Sequence, residues 1–135
     1  MIQYQIENSL DVEEFRNILK NSTLGERRPI DDEETMKSMV QHGNLIVTAR
    51  HEGKLVGVAR SLTDFRYCAY LSDLAVDSSY QRQGIGKELI RHTKLAAPLA
   101  KIILIAAPKA IDYYPAIGMT RHEHCYFLDD VDGLR

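Results

Sequence analysis

The run Gln81-Arg82-Gln83-Gly84-Ile85-Gly86-Lys87 constrains the fold of this chain more than any other stretch. It follows an apolar, strand-like run from Tyr70 to Val76 and opens an amphipathic, helix-like run from Glu88 to Ala97. A loop with two glycines at a strand-to-helix junction leaves backbone N–H groups unpaired at the positive end of a helix dipole. Such a junction suits an anion, and phosphate best of all. Beyond the helix, Lys101 to Ala106 is a continuous apolar run suited to a buried strand. A strand, a crossover helix and a strand of these lengths predict a parallel pair.

Upstream of the junction the periodicity is different. Ile2-Gln3-Tyr4-Gln5-Ile6 alternates as a half-buried strand does. Asn8 or Ser9 is then placed to cap a helix from about Val12 to Lys20, with Phe15, Ile18 and Leu19 on one face. A polar loop from Asn21 to Pro29 leads to a second helix, starting at Asp31 or Asp32 and reaching about His42. Met36, Met39 and Val40 point inward there, and Gly43 ends the helix. Leu45 to Ala49 and Leu55 to Ala59 flank a tight turn at Glu52-Gly53, and a third strand runs from about Tyr67 to Val76.

Downstream, Ile85, Leu89, Thr93 and Ala96 recur at helical spacing until Pro98. Pro108 to Ala116 reads as a short helix closed by Gly118, and His122 to Leu128 as a last strand before an acidic tail. The expectation is one α/β (α+β) domain over residues 1–135. Its mixed sheet combines an antiparallel N-terminal meander with a parallel pair of strands 4 and 5, flanked by helices.

Composition narrows the function classes. A formal net charge of −2 provides no global basic field, so no nucleic-acid partner is expected. The longest apolar run, Ile102 to Ala107, is far short of the roughly 20 residues that cross a bilayer, and no secretion signal is visible. A cytoplasmic protein with no membrane partner is the expectation. Cys68 and Cys125 sit in apolar, strand-like contexts and are expected as buried, reduced thiols. His122 and His124 lie near Cys125 but alternate as strand neighbours, and no metal is expected.

Three phosphate loops compete for the glycine stretch. A Walker loop needs a glycine separated by four residues from the Gly-Lys pair and Ser or Thr after it, where this chain has Gln81 and Glu88. The dinucleotide fingerprint needs a small residue at Leu89 and an early position in a βαβ fold. What remains is Gln/Arg-x-x-Gly-x-Gly/Ala, met here by Gln81, Gly84 and Gly86. On this motif the chain resembles the GCN5-related N-acetyltransferase (GNAT) superfamily, whose acetyl-CoA pyrophosphate loop has that spacing. Tyr70-Leu71-Ser72-Asp73-Leu74-Ala75-Val76 is similar to the family's preceding strand. Tyr113-Tyr114-Pro115-Ala116-Ile117-Gly118-Met119 is similar to its C-terminal Phe-Tyr-x-x-x-Gly-Phe. The resemblance covers nearly the whole chain.

It implies an acetyl-CoA-dependent acyltransferase with no metal cofactor. Strands 4 and 5 are expected to splay around the pantetheine arm. Backbone groups of Leu74, Ala75 and Val76 would pair with its amides, and one N–H would polarise the thioester carbonyl. Gln81, Arg82, Gln83, Gly84, Ile85, Gly86 and Lys87 would hold the diphosphate. Tyr114 matches the family's general-acid tyrosine. Asp73 is a candidate base, although the Glu that small-amine members place before it is Ser72 here. Ala107 replaces an Asn that contacts the cofactor in many members. Arg27, Arg28 and Ser72 are candidate acceptor-binding residues. The implied function is acetyl transfer to a primary amine, with a small-molecule acceptor as the leading reading. Acetylation of a protein lysine or N-terminus and a non-catalytic acyl-CoA-binding module stand as alternatives. A homodimer is compatible with the resemblance.

Overall fold

In the computed structural model, which describes residues 1–135, the elements follow one another as strand, two helices, three strands, helix and strand. Strand β1 (Ile2–Ile6) leads to helix α1 (Val12–Asn21) and helix α2 (Glu33–His42). Strands β2 (Leu45–His51), β3 (Lys54–Thr63) and β4 (Cys68–Val76) come next, then helix α3 (Ile85–Ala96) and strand β5 (Lys101–Ile103). One five-stranded sheet forms in the order β1-β2-β3-β4-β5. The first three pairings are antiparallel and β4 pairs with β5 in parallel.

Local chemistry accounts for the boundaries. Glu52 and Gly53 both take positive φ, 51° and 84°, which makes a tight turn whose twist suits the β2–β3 hairpin. Helix α1 is capped by Asp11, which accepts from the Glu14 N–H at 3.1 Å, and not by Asn8 or Ser9. Asn8 instead accepts from the Ile46 N–H at 2.8 Å, binding the end of β1 to β2. Asp32 caps α2 through the Thr35 N–H, and Gly43 follows its last residue. At Gly43 the cause is space: a Cβ would sit 2.9 Å from Arg60 Cγ.

The sheet has two apolar faces. On one, Ile85, Leu89, Ala97 and Ala100 pack against Leu45, Val47, Ala49, Ala59, Ala69 and Leu71. On the other, Phe15, Ile18, Leu19, Met36 and Val40 of α1 and α2 cover Ile46, Leu55, Val58 and Ala75. Helix α3 lies close over β3 because residue 57 is glycine. A Cβ there would meet Leu89 Cδ1 at 3.0 Å and Ile85 Cγ2 at 3.2 Å.

Packing groups the chain into two compact units, Met1–Ile105 and Ala106–Arg135. The second contains a 3₁₀ turn at Pro108–Ala110 and a single helical turn, α4 (Tyr113–Ala116), with Gly118 at φ 105° after it. The single helix expected over Pro108 to Ala116 is thus broken at Ile111-Asp112, and two strand expectations also fail. The fifth strand ends at Ile103, not Ala106, because only Cys68, Ala69 and Tyr70 offer it a ladder. The strand expected from His122 to Leu128 does not form; Tyr126 and Phe127 stand exposed, and Cys125 with them. Alternation makes a strand only where a neighbour supplies backbone partners, and nothing pairs with these residues.

Candidate active site

The glycine loop is pinned at its base and unpaired at its tip. The Asp77 N–H donates to Val56 O at 2.9 Å, and the Asp77 carboxylate caps the Ser79 N–H. The Ser78 hydroxyl donates to Asn21 O at 2.7 Å, and the Tyr80 hydroxyl is hydrogen-bonded to His51 Nδ1 at 2.8 Å. The Gln81 side-chain amide donates to Val76 O at 3.1 Å, folding the loop back onto the end of β4. Arg82 then turns into positive φ at 64° and Gly84 at 80°, where Gly84 is the N-cap of α3 with no side chain to satisfy it. The first backbone bond of the helix is from the Glu88 N–H to Gly84 O at 3.1 Å. The N–H groups of Ile85, Gly86 and Lys87 have no partner in the chain. Three convergent donors on the positive end of a 12-residue helix make a cradle suited to an anion. Arg82 and Lys87 stand exposed beside it.

Next to this cradle the sheet opens. Strands β4 and β5 pair only through Cys68–Lys101, Ala69–Ile102 and Tyr70–Ile103. Past Tyr70, β4 keeps β3 on one side and has no strand on the other. Since the Asp77 N–H points at β3, strand alternation turns the backbone of Ala75 toward β3 and that of Leu74 and Val76 toward the gap. Val76 O is taken by Gln81, which leaves the Leu74 N–H and C=O and the Val76 N–H as the polar groups lining the gap. A chain threaded from the cradle into the gap therefore meets alternating donors and acceptors, as it would from a missing strand.

On the helix α1 and α2 face, one residue beyond a β-bulge at Ser72, lies a closed charge cluster. Asp73 is fully buried, and its two oxygens accept from Arg28 Nε and Arg60 Nε, each at 2.5 Å. Arg28 also donates to Ser72 O at 2.9 Å and Arg27 O at 3.0 Å. Arg60 donates to the Ser72 hydroxyl at 3.0 Å and Met39 O at 3.1 Å. Sequence reasoning brought out Arg28, Ser72 and Asp73, which converge, but missed Arg60. Its only signal was a charged residue continuing an apolar strand run. The Arg27 side chain is exposed and does not join them.

Tyr114 lies in the second unit, half-buried, with its ring edge-on to Tyr113 at 5.2 Å between centroids. Burial, with a smaller contribution from Tyr113, raises its hydroxyl above the usual tyrosine range, so it is protonated at neutral pH. His92 is stacked on Tyr4 at 4.8 Å, outside this machinery.

This geometry coincides with a known family. Residues 12–119 match the acetyltransferase (GNAT) family model, and the chain belongs to that family. It is 35% identical over 72 residues to the GCN5-related N-acetyltransferase 2, chloroplastic, of Arabidopsis thaliana. That stretch is 51% of this chain and only 28% of the relative's length. A GNAT-family acetyltransferase from Streptococcus pneumoniae superposes with a TM-score of 0.79 at 22% identity, covering 97% of this chain and 98% of that one. An aminoglycoside N-acetyltransferase, AAC(6')-Iy, in complex with CoA gives a TM-score of 0.73 at 17% identity, covering 97% and 95%. The fold is thus that of GNAT acetyltransferases. No helix is long and apolar enough to cross a membrane.

Proposed function

We propose that this protein transfers the acetyl group of acetyl-CoA to the primary amine of a small molecule by direct attack on the thioester. The observation that carries the reading is the set of unpartnered N–H groups on Ile85, Gly86 and Lys87, set beside a strand pair that parts after Tyr70. The first feature suits a diphosphate and the second a pantetheine arm. Family membership supports the same donor.

In the proposed reaction the amine nitrogen bonds to the thioester carbon and the carbon–sulfur bond breaks. The proton lost by nitrogen is balanced by the proton gained by sulfur. Charge that develops on the carbonyl oxygen is met by a backbone N–H at the gap, Leu74 or Val76. The Tyr114 hydroxyl is the proposed donor to the leaving sulfur, a role that rests on its match to the family motif. An amine with a lysine-like pKa must lose a proton first, which costs about 4–5 kcal/mol at pH 7. Asp73 is poorly suited to take it, since both of its oxygens are engaged by guanidinium groups. Water or desolvation of the bound amine is the proposed route, with Asp73 as a positioning residue.

The test is thiol release from acetyl-CoA across amino acids, polyamines, aminosugars, aminoglycosides and lysine peptides. Amine-dependent release with small molecules is expected, falling at least tenfold in Tyr114→Phe while acetyl-CoA still binds. Release with lysine peptides alone would move the acceptor to proteins. Binding without release for any amine would make the chain an acyl-CoA sensor.

A further inference from the structure

The point where β4 and β5 part carries an uncovered apolar stripe. Leu62 on β3 pairs with Tyr70 on β4, and Tyr70 pairs with Ile103 on β5. Ala69, Leu71, Ile102 and Leu104 pack on the α3 side, so Leu62, Tyr70 and Ile103 share the opposite face. Helices α1 and α2 cover that face over Ile46, Val58 and Ala75 but not here. The three side chains are 40%, 40% and 47% exposed, on neighbouring strands, in line with one another.

The stripe adjoins the charge cluster. Ser72, two residues from Tyr70, gives its carbonyl to Arg28 and its hydroxyl to Arg60. These two guanidinium groups share one carboxylate, Asp73, and no second acid pairs with either. The cluster therefore keeps an excess positive charge in largely buried surroundings, with Arg28 its more open side. An anion offsets such a charge, and a second cation does not.

We infer that the acceptor is an amine with an aromatic or branched aliphatic body and a carboxylate, seated on Leu62, Tyr70 and Ile103 with its carboxylate toward Arg28. This inference rests on the acetyl-transfer reading above. In that reading the donor's arm runs from the glycine loop along the gap toward its closed end, which is the Tyr70–Ile103 pair. An amine whose body lies on the stripe and whose carboxylate reaches Arg28 beside Ser72 points its nitrogen toward the thioester at Leu74. The apolar floor gives little to a polyamine or an aminoglycoside, and the cluster repels their extra charges.

The experiment compares kcat/KM for L-phenylalanine, L-leucine, phenethylamine, spermidine and an aminoglycoside, with acetyl-CoA binding measured separately by calorimetry. The two amino acids should exceed phenethylamine at least fivefold and the polycations at least fiftyfold. Tyr70→Ser and, independently, Leu62→Ser should raise KM for phenylalanine at least tenfold, while Tyr70→Phe stays within threefold of the parent. Calorimetric affinity for acetyl-CoA should stay within threefold in all three variants. A polycation as the best substrate would overturn the inference while leaving acetyl transfer standing, as would an unchanged KM in Tyr70→Ser. Equal rates with phenylalanine and phenethylamine would overturn the assignment of Arg28 to a carboxylate. Absence of transfer to every amine, with acetyl-CoA bound, would instead defeat the transfer reading and this inference with it.

Discussion

The two ends of the second half of β4 carry polar groups in opposite states. At Ser72-Asp73 both carboxylate oxygens, the Ser72 hydroxyl and the Ser72 carbonyl already have partners from Arg28 and Arg60. At the glycine loop, the N–H groups of Ile85, Gly86 and Lys87 have none. The difference separates framework from binding site more clearly than residue type does. Buried polar groups are nearly always paired, so Ser72 and Asp73 need nothing further and only the outer side of Arg28 stays open, while bare donors at a helix end suit a ligand. By this measure Asp73, the residue on this strand most suggestive of catalysis, reads as framework, and the backbone beyond it is the proposed site.

The largest effect should come from opening the closed cluster. Asp73→Ala leaves two guanidinium groups without their shared counter-charge, which should cost about 3–5 kcal/mol and lower the urea midpoint accordingly. Asp73→Asn sharpens the point. Turnover lost at an unchanged urea midpoint would make Asp73 a base after all and break the comparison.

Next is Gly57→Val, beneath the open end. Its side chain would be forced against Leu89 and Ile85, and overpacking of this kind costs about 1–3 kcal/mol. Because Ile85 begins α3, displacement of that turn should also weaken acetyl-CoA binding severalfold by calorimetry. Full affinity in a folded Gly57→Val protein would show that the cradle does not depend on the seat of α3.

Gly84→Ala is a smaller change. A Cβ at this position meets nothing within 4 Å, so only the φ of 80° resists it, at about 1–2 kcal/mol. Thermal unfolding should show that modest loss, together with weaker acetyl-CoA binding.

A second closed cluster bears on stability alone and leaves the glycine loop untouched. Glu7 accepts from Arg50 at 2.8 and 2.9 Å, and also from Thr48 and Gln5, and Arg50 reaches on to Glu14. The Arg50 guanidinium, with help from Thr48 and Gln5, holds the Glu7 carboxyl down at about 2, against an ordinary 4.5. A depressed folded pKa contributes stability that is fully present above 4.5 and is lost as pH falls toward 2. Glu7→Gln should lower stability at pH 7 and flatten its decline between pH 4.5 and 2, read as urea midpoints along the pH series. An unaltered pH profile would remove Glu7 from the account.

What the sequence made legible was local. Helices α1 to α3, the hairpin at Glu52-Gly53 and the glycine loop between β4 and α3 follow from periodicity and glycine placement within short windows. The start of α3 lies three residues before the expected Glu88, since Gly84 without a Cβ can serve as its cap. What stayed hidden depends on partners distant in the chain. Arg28 and Asp73 are 45 residues apart, and nothing local to either announces their meeting. The alternation at His122 to Leu128 misled for the same reason, because the sequence does not say whether a neighbouring strand is there to receive it.

The central claim is that the first amides of α3 hold the diphosphate of acetyl-CoA. Titration of the ¹⁵N-labelled protein with acetyl-CoA, followed by amide chemical shifts, tests it directly. The account predicts the largest downfield shifts at Ile85, Gly86 and Lys87, with Leu74 and Val76 moving alongside and the Asp73 amide nearly still. Saturation with acetyl-CoA that leaves the amides of Ile85, Gly86 and Lys87 unmoved would contradict it.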